Sequence, residues 1–479
     1  MSMSIRRRPI RILAGLASGL GLVLTLGAAT SRDAVAATQV AADARAAAAG
    51  GTWGTAHEVA AALNTGRFAE VNSVSCASAG NCTAGGFYTR RSGPTPAFVV
   101  SETNGTWGTA HQVAAGLNTG GIAAISSASC GSAGNCSAGG FYTDKSGRRR
   151  AFLVSETNGT WGAAHQVAAA LNTGGDAGIN SVSCGSAGNC TAGGSYTDSS
   201  GNAQAFVVNE TNGTWNAAPE VAAALNAGGN AVINSVSCAS AGNCTAGGFY
   251  TPSFSRLQAF AVNETNGTWG TAQEVAAALN TGGAAVINSV SCASAGNCSA
   301  GGFYTDSSGN AQAVGVSERN GAWGTAKEIP GSGALNKGGQ VQIDSVSCAA
   351  VGNCSAGGHY LANSGRSQAF VVNEKNGTWG SLQKVAAALN TGHFAVIDSV
   401  SCASAGNCSA GGSYTPSSGP SPAFVVNETN GTWGAVQQVA AALNISGAAI
   451  NSVSCPSVGH CTGGGYISDG EQAFVVDET

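Results

Sequence analysis

Charge is what this chain has least of: Asp, Glu, Lys and Arg make up 9% of its 479 residues, and their balance is -4. A nucleic-acid-binding protein needs a strong basic excess to displace phosphate counterions, so that class is excluded. With few charges and 72 glycines, the surface must be built from Ser, Thr, Asn, Gly and Ala in place of the usual Lys and Glu. Beyond residue 29 no apolar run is long enough for a transmembrane helix. No cysteine pair has C-x2-C or C-x4-C spacing and none is vicinal, which removes the usual zinc and thioredoxin-like chemistries. No metal or cofactor is expected.

The N-terminus reads as a targeting segment. Arg6, Arg7, Arg8 and Arg11 precede a charge-free apolar run over residues 12–29, and Ala34-Val35-Ala36 is an A-x-A cleavage candidate. Residues 1–36 are therefore expected to be a signal peptide, and residues 37–50 an Ala-rich linker with no core-forming pattern. The mature chain is expected to be secreted or held at the cell surface, as a monomer, with no membrane contact after cleavage. A retained anchor is the alternative. RRRPIRI matches a twin-arginine signal poorly, so the general secretion route is favoured.

From residue 51 onward the chain is a repeat of about 54 residues. Every tryptophan marks it: Trp53, Trp107, Trp161, Trp215, Trp269, Trp323, Trp379 and Trp433 are spaced by 54, with one interval of 56. All 16 cysteines fall into C-x5-C pairs: Cys76/Cys82, Cys130/Cys136, Cys184/Cys190, Cys238/Cys244, Cys292/Cys298, Cys348/Cys354, Cys402/Cys408 and Cys455/Cys461. A Tyr follows each second Cys by six residues, until Tyr466 arrives one place early.

Each unit holds four strand-like runs, in the first case residues 71–77, 83–89, 97–103 and 106–114. Asn104-Gly105 joins the last two, and this is the preferred pair for a two-residue hairpin because both positions take positive φ. Short antiparallel meanders repeated at this length predict an all-β fold, an eight-bladed β-propeller of four-stranded antiparallel blades. The segment VAAALN is too short for a stable helix and is assigned to the end of the fourth strand plus a turn closed by an Asn such as Asn118 or Asn172. The repeats open at residues 51–60 with a fourth strand alone and finish at 472–479 with a third strand. Residues 51–479 are thus expected to form one domain, its ring closed by the N-terminal outer strand completing the C-terminal blade.

The repeated residues read as structural. The C-x5-C pairs join neighbouring strands within disulfide reach, an exported chain is oxidised, and each bond is expected to clip its own hairpin. The tryptophans, although exposed aromatic faces can stack on sugars, are assigned to packing between blades. The Glu before each hairpin turn (102, 156, 210, 264, 318, 374, 428, 478) is expected to be a cross-strand or turn-fixing partner. His57, His111 and His165 share one outer-strand position, one per blade, too far apart for a common metal. No Ser/His/Asp set can be assembled. The unrepeated acids Asp176, Asp198, Asp306, Asp344 and Asp398 lie in different blades, and only the central axis could gather them.

Over residues 51–479 the SVSCxSAGxCxAGGxY and GTWG units resemble secreted repeat proteins of high-GC Gram-positive bacteria, a resemblance that implies export and a propeller but no particular activity. ETNGTWG is loosely similar to the Asp-box of sialidase-type propellers, yet SETNGTW at 101–107 lacks the Asp two residues after Ser. What varies among units is the loop between the second and third strands and the connection between blades, which emerge on one face. There Arg67, Arg90 and Arg91 approach Lys145, Arg148, Arg149 and Arg150, a candidate basic patch for an anionic surface. The expected function is a non-catalytic binding or adhesion scaffold using this face, its partner a cell-wall glycopolymer, a glycan or an extracellular protein. The alternatives are a multivalent lectin with similar sites between blades and a secreted hydrolase acting at the central pore.

Overall fold

Four strands per unit do form, and they arrange as expected. The computed structural model describes residues 51–91, 93–253, 256–444, 446–468 and 472–479; the expected leader at 1–36 and linker at 37–50 lie outside them. In blade 1 the strands run Ala69–Ser78, Asn81–Tyr88, Ala97–Thr103, and an outer strand in two pieces, Thr106–Trp107 and His111–Val113. The same antiparallel meander recurs in eight sheets. The first strands of successive blades run side by side and form the inner wall of the ring. The last blade has inner strands Ala448–Ser457, His460–Ile467 and Gln472–Asp477, and its outer strand is His57–Glu58 from the start of the ring. The bridge between Trp53 and Glu478 extends that pairing.

The SVSC motif builds the inner wall. An innermost strand would leave its outer row of N–H groups unpaired, an exposed sheet edge. Here Ser73 and Ser75 accept from the amides of Ala128 and Cys130 in the next blade, each at 3.0 Å. The pattern repeats around the ring and closes on itself, where Ser452 and Ser454 accept from Val74 and Cys76. Between Val71 and Ser73 the strand carries a bulge, so that Asn72 has no ladder partner and its amide reaches Ile125 O in the next blade.

The Gly-Gly pair serves that bulge. A Cβ on Gly86 would overlap the carbonyl oxygen of Glu70 at the bulge itself, whereas one on Gly85 would lie 2.7 Å from Ile125 Cγ2 of the neighbouring blade. One glycine therefore admits the bulge and the other admits the next blade. The apolar clusters between blades follow from this approach. Ala97 and Val99 of blade 1 pack with Ile125, Tyr142 and Phe152 of blade 2, and Tyr142 meets Phe152 at 6.3 Å between ring centres.

Each C-x5-C pair forms a disulfide: Cys76–Cys82, Cys130–Cys136, Cys184–Cys190, Cys238–Cys244, Cys292–Cys298, Cys348–Cys354, Cys402–Cys408 and Cys455–Cys461. No described cysteine is free. A loop this short contributes about 2 kcal/mol through chain entropy. The bonds are not, however, the hairpin clips alone that the spacing suggests. Their second cysteines are buried and turned toward the preceding blade, because the second strand is covered there by that blade's own second strand. Thr83 Oγ1 donates to Cys136 Sγ at 3.3 Å, Ser137 Oγ lies 3.5 Å from Cys190 Sγ, and Ser355 Oγ lies 3.3 Å from Cys408 Sγ. At 3 to 4% exposure, Cys136, Cys190 and Cys408 are interior packing positions between blades and not places that a ligand reaches.

The outer strand departs from the uniform run expected: in blades 1 to 6 it leaves the third strand after the Trp and rejoins at the His-type position, while in blade 7 it is continuous over Thr432–Val439. VAAALN closes as a single turn, Asn118 N to Ala114 O at 2.9 Å, with Ala114 at φ 57. Its Asn ties back to the third strand, as Asn172 Nδ2 does to Arg149 O at 3.2 Å. One short helix, Ser332–Leu335, occupies the longer connection after blade 5.

Candidate functional site

The variable face is a continuous band of loops. The connection after blade 1 donates Gly120 N to Thr143 O of the blade 2 loop and accepts Thr95 N on Gly121 O from the blade 1 loop. The seven cations of the predicted patch sit on this band, but in two kinds of setting. Arg90 donates to Gln112 Oε1 at 2.6 Å and to the Tyr88 hydroxyl at 3.2 Å. Arg149 lies over the Phe141 ring at 3.9 Å and 3.7 Å from Asp176. Arg150 donates to Asp144 Oδ2 at 3.0 Å and to Asn172 O at 3.1 Å. Arg67, Arg91, Lys145 and Arg148 are exposed, and their charged ends have no partner among the described residues. Arg67 stands at φ 82 in the connection leading into blade 1, and Thr65 Oγ1 of that connection accepts the Arg91 amide at 3.3 Å.

Toward the same end of the inner strands, unrepeated polar groups occur in blades 6, 7 and 1. Most units put Asn at the bulge, but blades 6 and 7 put Asp344 and Asp398 there. Asp344 meets His359 Nδ1 at 2.8 Å and accepts from Gln342. Asn451 of blade 8 donates to Glu70 of blade 1 at 2.8 Å. Burial, with the charge of Asp398 adding to it, pushes the Glu70 carboxyl up to about 7, against the pull of Asn451. Asp344 thus pairs within its own blade and Asp398 acts on Glu70, whereas Asp176 pairs with Arg149 and Asp198 and Asp306 fold their own loops by accepting from Ser200 N and Ser308 N. Glu70 escaped the sequence reading. Its signal is the contrast with Ala124, Gly178, Val232 and Val286 at the same place in other units.

The repeated Glu and Trp meet between blades. Register sets Glu102 opposite Trp107, one of the two expected places, but the carboxylates do not fix the turns. Each is buried and turned toward the preceding blade, because the third strand there supplies a donor: Ser101 to Glu156 at 2.7 Å and Ser155 to Glu210 at 2.6 Å. The same Ser101 hydroxyl oxygen accepts the Trp161 indole N–H at 3.0 Å. At the seam between blades 8 and 1 the donor is replaced by Asp477, which accepts from Trp107 at 3.1 Å and Thr462 at 2.7 Å. Glu102 Oε2 is left buried without a partner. Burial first, and Asp477 second, push its carboxyl up to about 7.

This seam makes stability depend on pH. The folded state holds the Glu102 proton more tightly than the unfolded chain, so its stabilisation is complete below the ordinary value near 4.5 and is lost as pH rises through about 7. Glu70 contributes in the same window. The melting temperature is therefore expected to fall between pH 5 and pH 8, and Glu102→Gln is expected to flatten the fall without abolishing it. An unchanged slope in the variant would show that the seam does not carry the effect.

Along the outer rim, grooves open between blades. One of 820 Å³ runs between His111–Leu117 of blade 1 and Gly159–Ala164 of blade 2, and one of 770 Å³ lies at the corresponding place between blades 2 and 3. A third cavity of 560 Å³ lies between blades 4 and 5 on the disulfide side. Cys348, Cys354 and Glu374 bring donor atoms together, but the two sulfurs are joined in a disulfide and offer no thiolate to a metal.

These features define a disulfide-clipped eight-bladed β-propeller with one uniform and one variable face. No family model and no curated protein sequence matches the chain. Among solved structures it is similar to Sqt1 of Chaetomium thermophilum, with a TM-score of 0.50 and 12% identity over 87% of this chain and 96% of that one. It is also similar to the BP39L lectin from Burkholderia pseudomallei, with a TM-score of 0.43 and 12% identity over 77% of this chain and 99% of that one. At these identities the likeness shows the fold alone. Among the described residues no helix is long and apolar enough to cross a membrane.

Proposed function

We propose that this chain is an exported, non-catalytic binding scaffold whose variable-loop face holds an anionic cell-wall glycopolymer. The supporting observation is the division of the basic patch: Arg67, Arg91, Lys145 and Arg148 keep charges that have no partner among the described residues, on a band of loops that is itself hydrogen-bonded together. Such charges, held at fixed spacing on a rigid ring, suit a polyanion. The disulfides fit an oxidising compartment, in line with removal of residues 1–36 on export.

Replacing Arg67, Arg91, Lys145 and Arg148 together by Ser leaves the packed Arg90, Arg149 and Arg150 in place. At about 0.2 to 1 kcal/mol per exposed charge, the quadruple variant should bind isolated cell walls about fourfold or more weakly. Wild-type binding should also weaken with salt. Wall binding that is indifferent to both changes would remove the proposal.

A further inference from the structure

The rim grooves lie on a different surface from the cations and have a different character. Neither the groove between blades 1 and 2 nor that between blades 2 and 3 has an Asp, Glu, Lys or Arg in its lining. Such a lining suits a neutral ligand, since a charged one would find no counter-charge there. The break in the outer strand is common to blades 1 to 6, and what sets blades 2 and 3 apart is Ala163 and Ala217 where blades 1, 4 and 5 have Thr109, Thr271 and Thr325. The outer strand leaves the sheet after Trp161 and returns at His165, and the intervening residues are small, Ala163 and Ala164.

Other blades show what fits there. In blade 6 the residue matching Ala164 is Leu382, whose amide donates to Pro330 O of blade 5 at 3.1 Å and whose side chain packs on the cluster containing Ile329 and Trp379. In blade 7 it is Val436, on an unbroken outer strand. The chain thus covers this place with its own apolar side chain in two blades and leaves it open beside Ala164 and Ala218. The Trp161 indole N–H is already spent on Ser101, so the ring offers its apolar surface. Exposed His111 and Thr160, with free peptide groups of the strand break, supply hydrogen-bonding partners at the edges.

We propose that these two rim grooves bind a neutral glycan, one pyranose ring in each, with the C–H face of the sugar against Trp161 or Trp215 and its hydroxyls toward the His and Thr edges. Cavities of 820 and 770 Å³ lie in the range of small-ligand sites. Because the two are equivalent places in adjacent blades, a polysaccharide of repeating units can engage both and gains avidity from the second. This site is independent of the cationic face.

The test fills the grooves as blade 6 fills its own, with Ala164→Leu and Ala218→Leu together, and measures binding to immobilised neutral gluco-, galacto- and manno-oligosaccharides. The wild-type chain should bind at least one of these, and the double variant should bind it at least about tenfold more weakly at an unchanged melting temperature. If the leucines disturb folding, His111→Ala with His165→Ala, both at exposed positions, should weaken the same binding. The quadruple Ser variant of the cationic face should bind the neutral oligosaccharides as wild type does. Absence of neutral oligosaccharide binding by the wild-type chain, or binding unaffected in a folded groove variant, overturns the proposal. Loss of wall binding in the Ser variant alone bears only on the cationic face.

Discussion

Gly302→Ala is expected to destabilise the chain by about 3 kcal/mol or more, while Gly309→Ala, in the loop that follows the same strand, costs about 1 kcal/mol. The two substitutions add the same methyl group in the same blade. At Gly302 the new Cβ overlaps the carbonyl oxygen of Val286 at the inner-strand bulge, and the amide nitrogen of Asn288 crowds it from 3.1 Å. Backbone on that strand cannot yield, because the Ser235 and Ser237 hydroxyls hold it from the preceding blade. Gly309 sits at φ 82 with nothing within 4 Å of its added Cβ, so only the left-handed conformation is penalised. Urea denaturation of both variants decides the matter, and coincident midpoints would contradict the steric account. Gly301→Ala should fall between them, since its Cβ meets side-chain methyls of Ile343 and Val346 at 2.7 Å, which can shift where a backbone carbonyl cannot.

The repeat made the ring legible because blade number depends only on counting Trp and Cys, and the closing strand depends only on which strand is missing at each end. What the serines of SVSC do was not legible. Ser73 and Ala128 are 55 residues apart, and their contact depends on how two blades stack. The cysteine pairs were legible as bonds for the converse reason, being local, but the burial of Cys136, Cys190 and Cys408 against the preceding blade was not. The repeated Glu was legible in part: within its own unit it faces Trp107, but its hydrogen-bonding partner belongs to the preceding blade. The basic patch was visible as composition. Its division was not, because Arg150 is drawn to Asp144 and Arg149 to Phe141 by the curl of a loop whose sequence carries no regular period. Glu70 was hidden by its isolation, being unlike the residues at its position in the other units and therefore outside every motif. The rim grooves were equally invisible, since nothing in the residues between Trp161 and His165 marks the place where the outer strand breaks.

Removal of residues 1–60 should convert the ring into an open chain of blades. Blade 8 then loses His57–Glu58, and its third strand, Gln472–Asp477, becomes an exposed edge over Phe474, which is fully buried in the closed ring. Trp53 is the main anchor of the closing segment: it is 8% exposed, packs with Val425 of blade 7 and Phe474 of blade 8, and donates its indole N–H to Asn427 at 3.2 Å. Val59 and Ala60 add contacts on the other side, against Val71 and Phe98 of blade 1. The segment therefore touches the blades on both flanks, so its loss weakens two interfaces and opens a sheet edge. Trp53→Ala alone should cost about 3 to 5 kcal/mol, and the deletion more than that. An exposed edge also pairs with other chains, so the deleted protein should self-associate during size-exclusion chromatography. A synthetic peptide spanning residues 51–64, added in trans, should suppress that association and raise the melting temperature saturably, whereas the same peptide carrying Trp53→Ala should do so poorly. A deleted protein that stays monomeric and melts with the wild type would mean that the blades hold the ring without the closing strand, and the serine hydroxyls of the inner wall would then be its principal fastening.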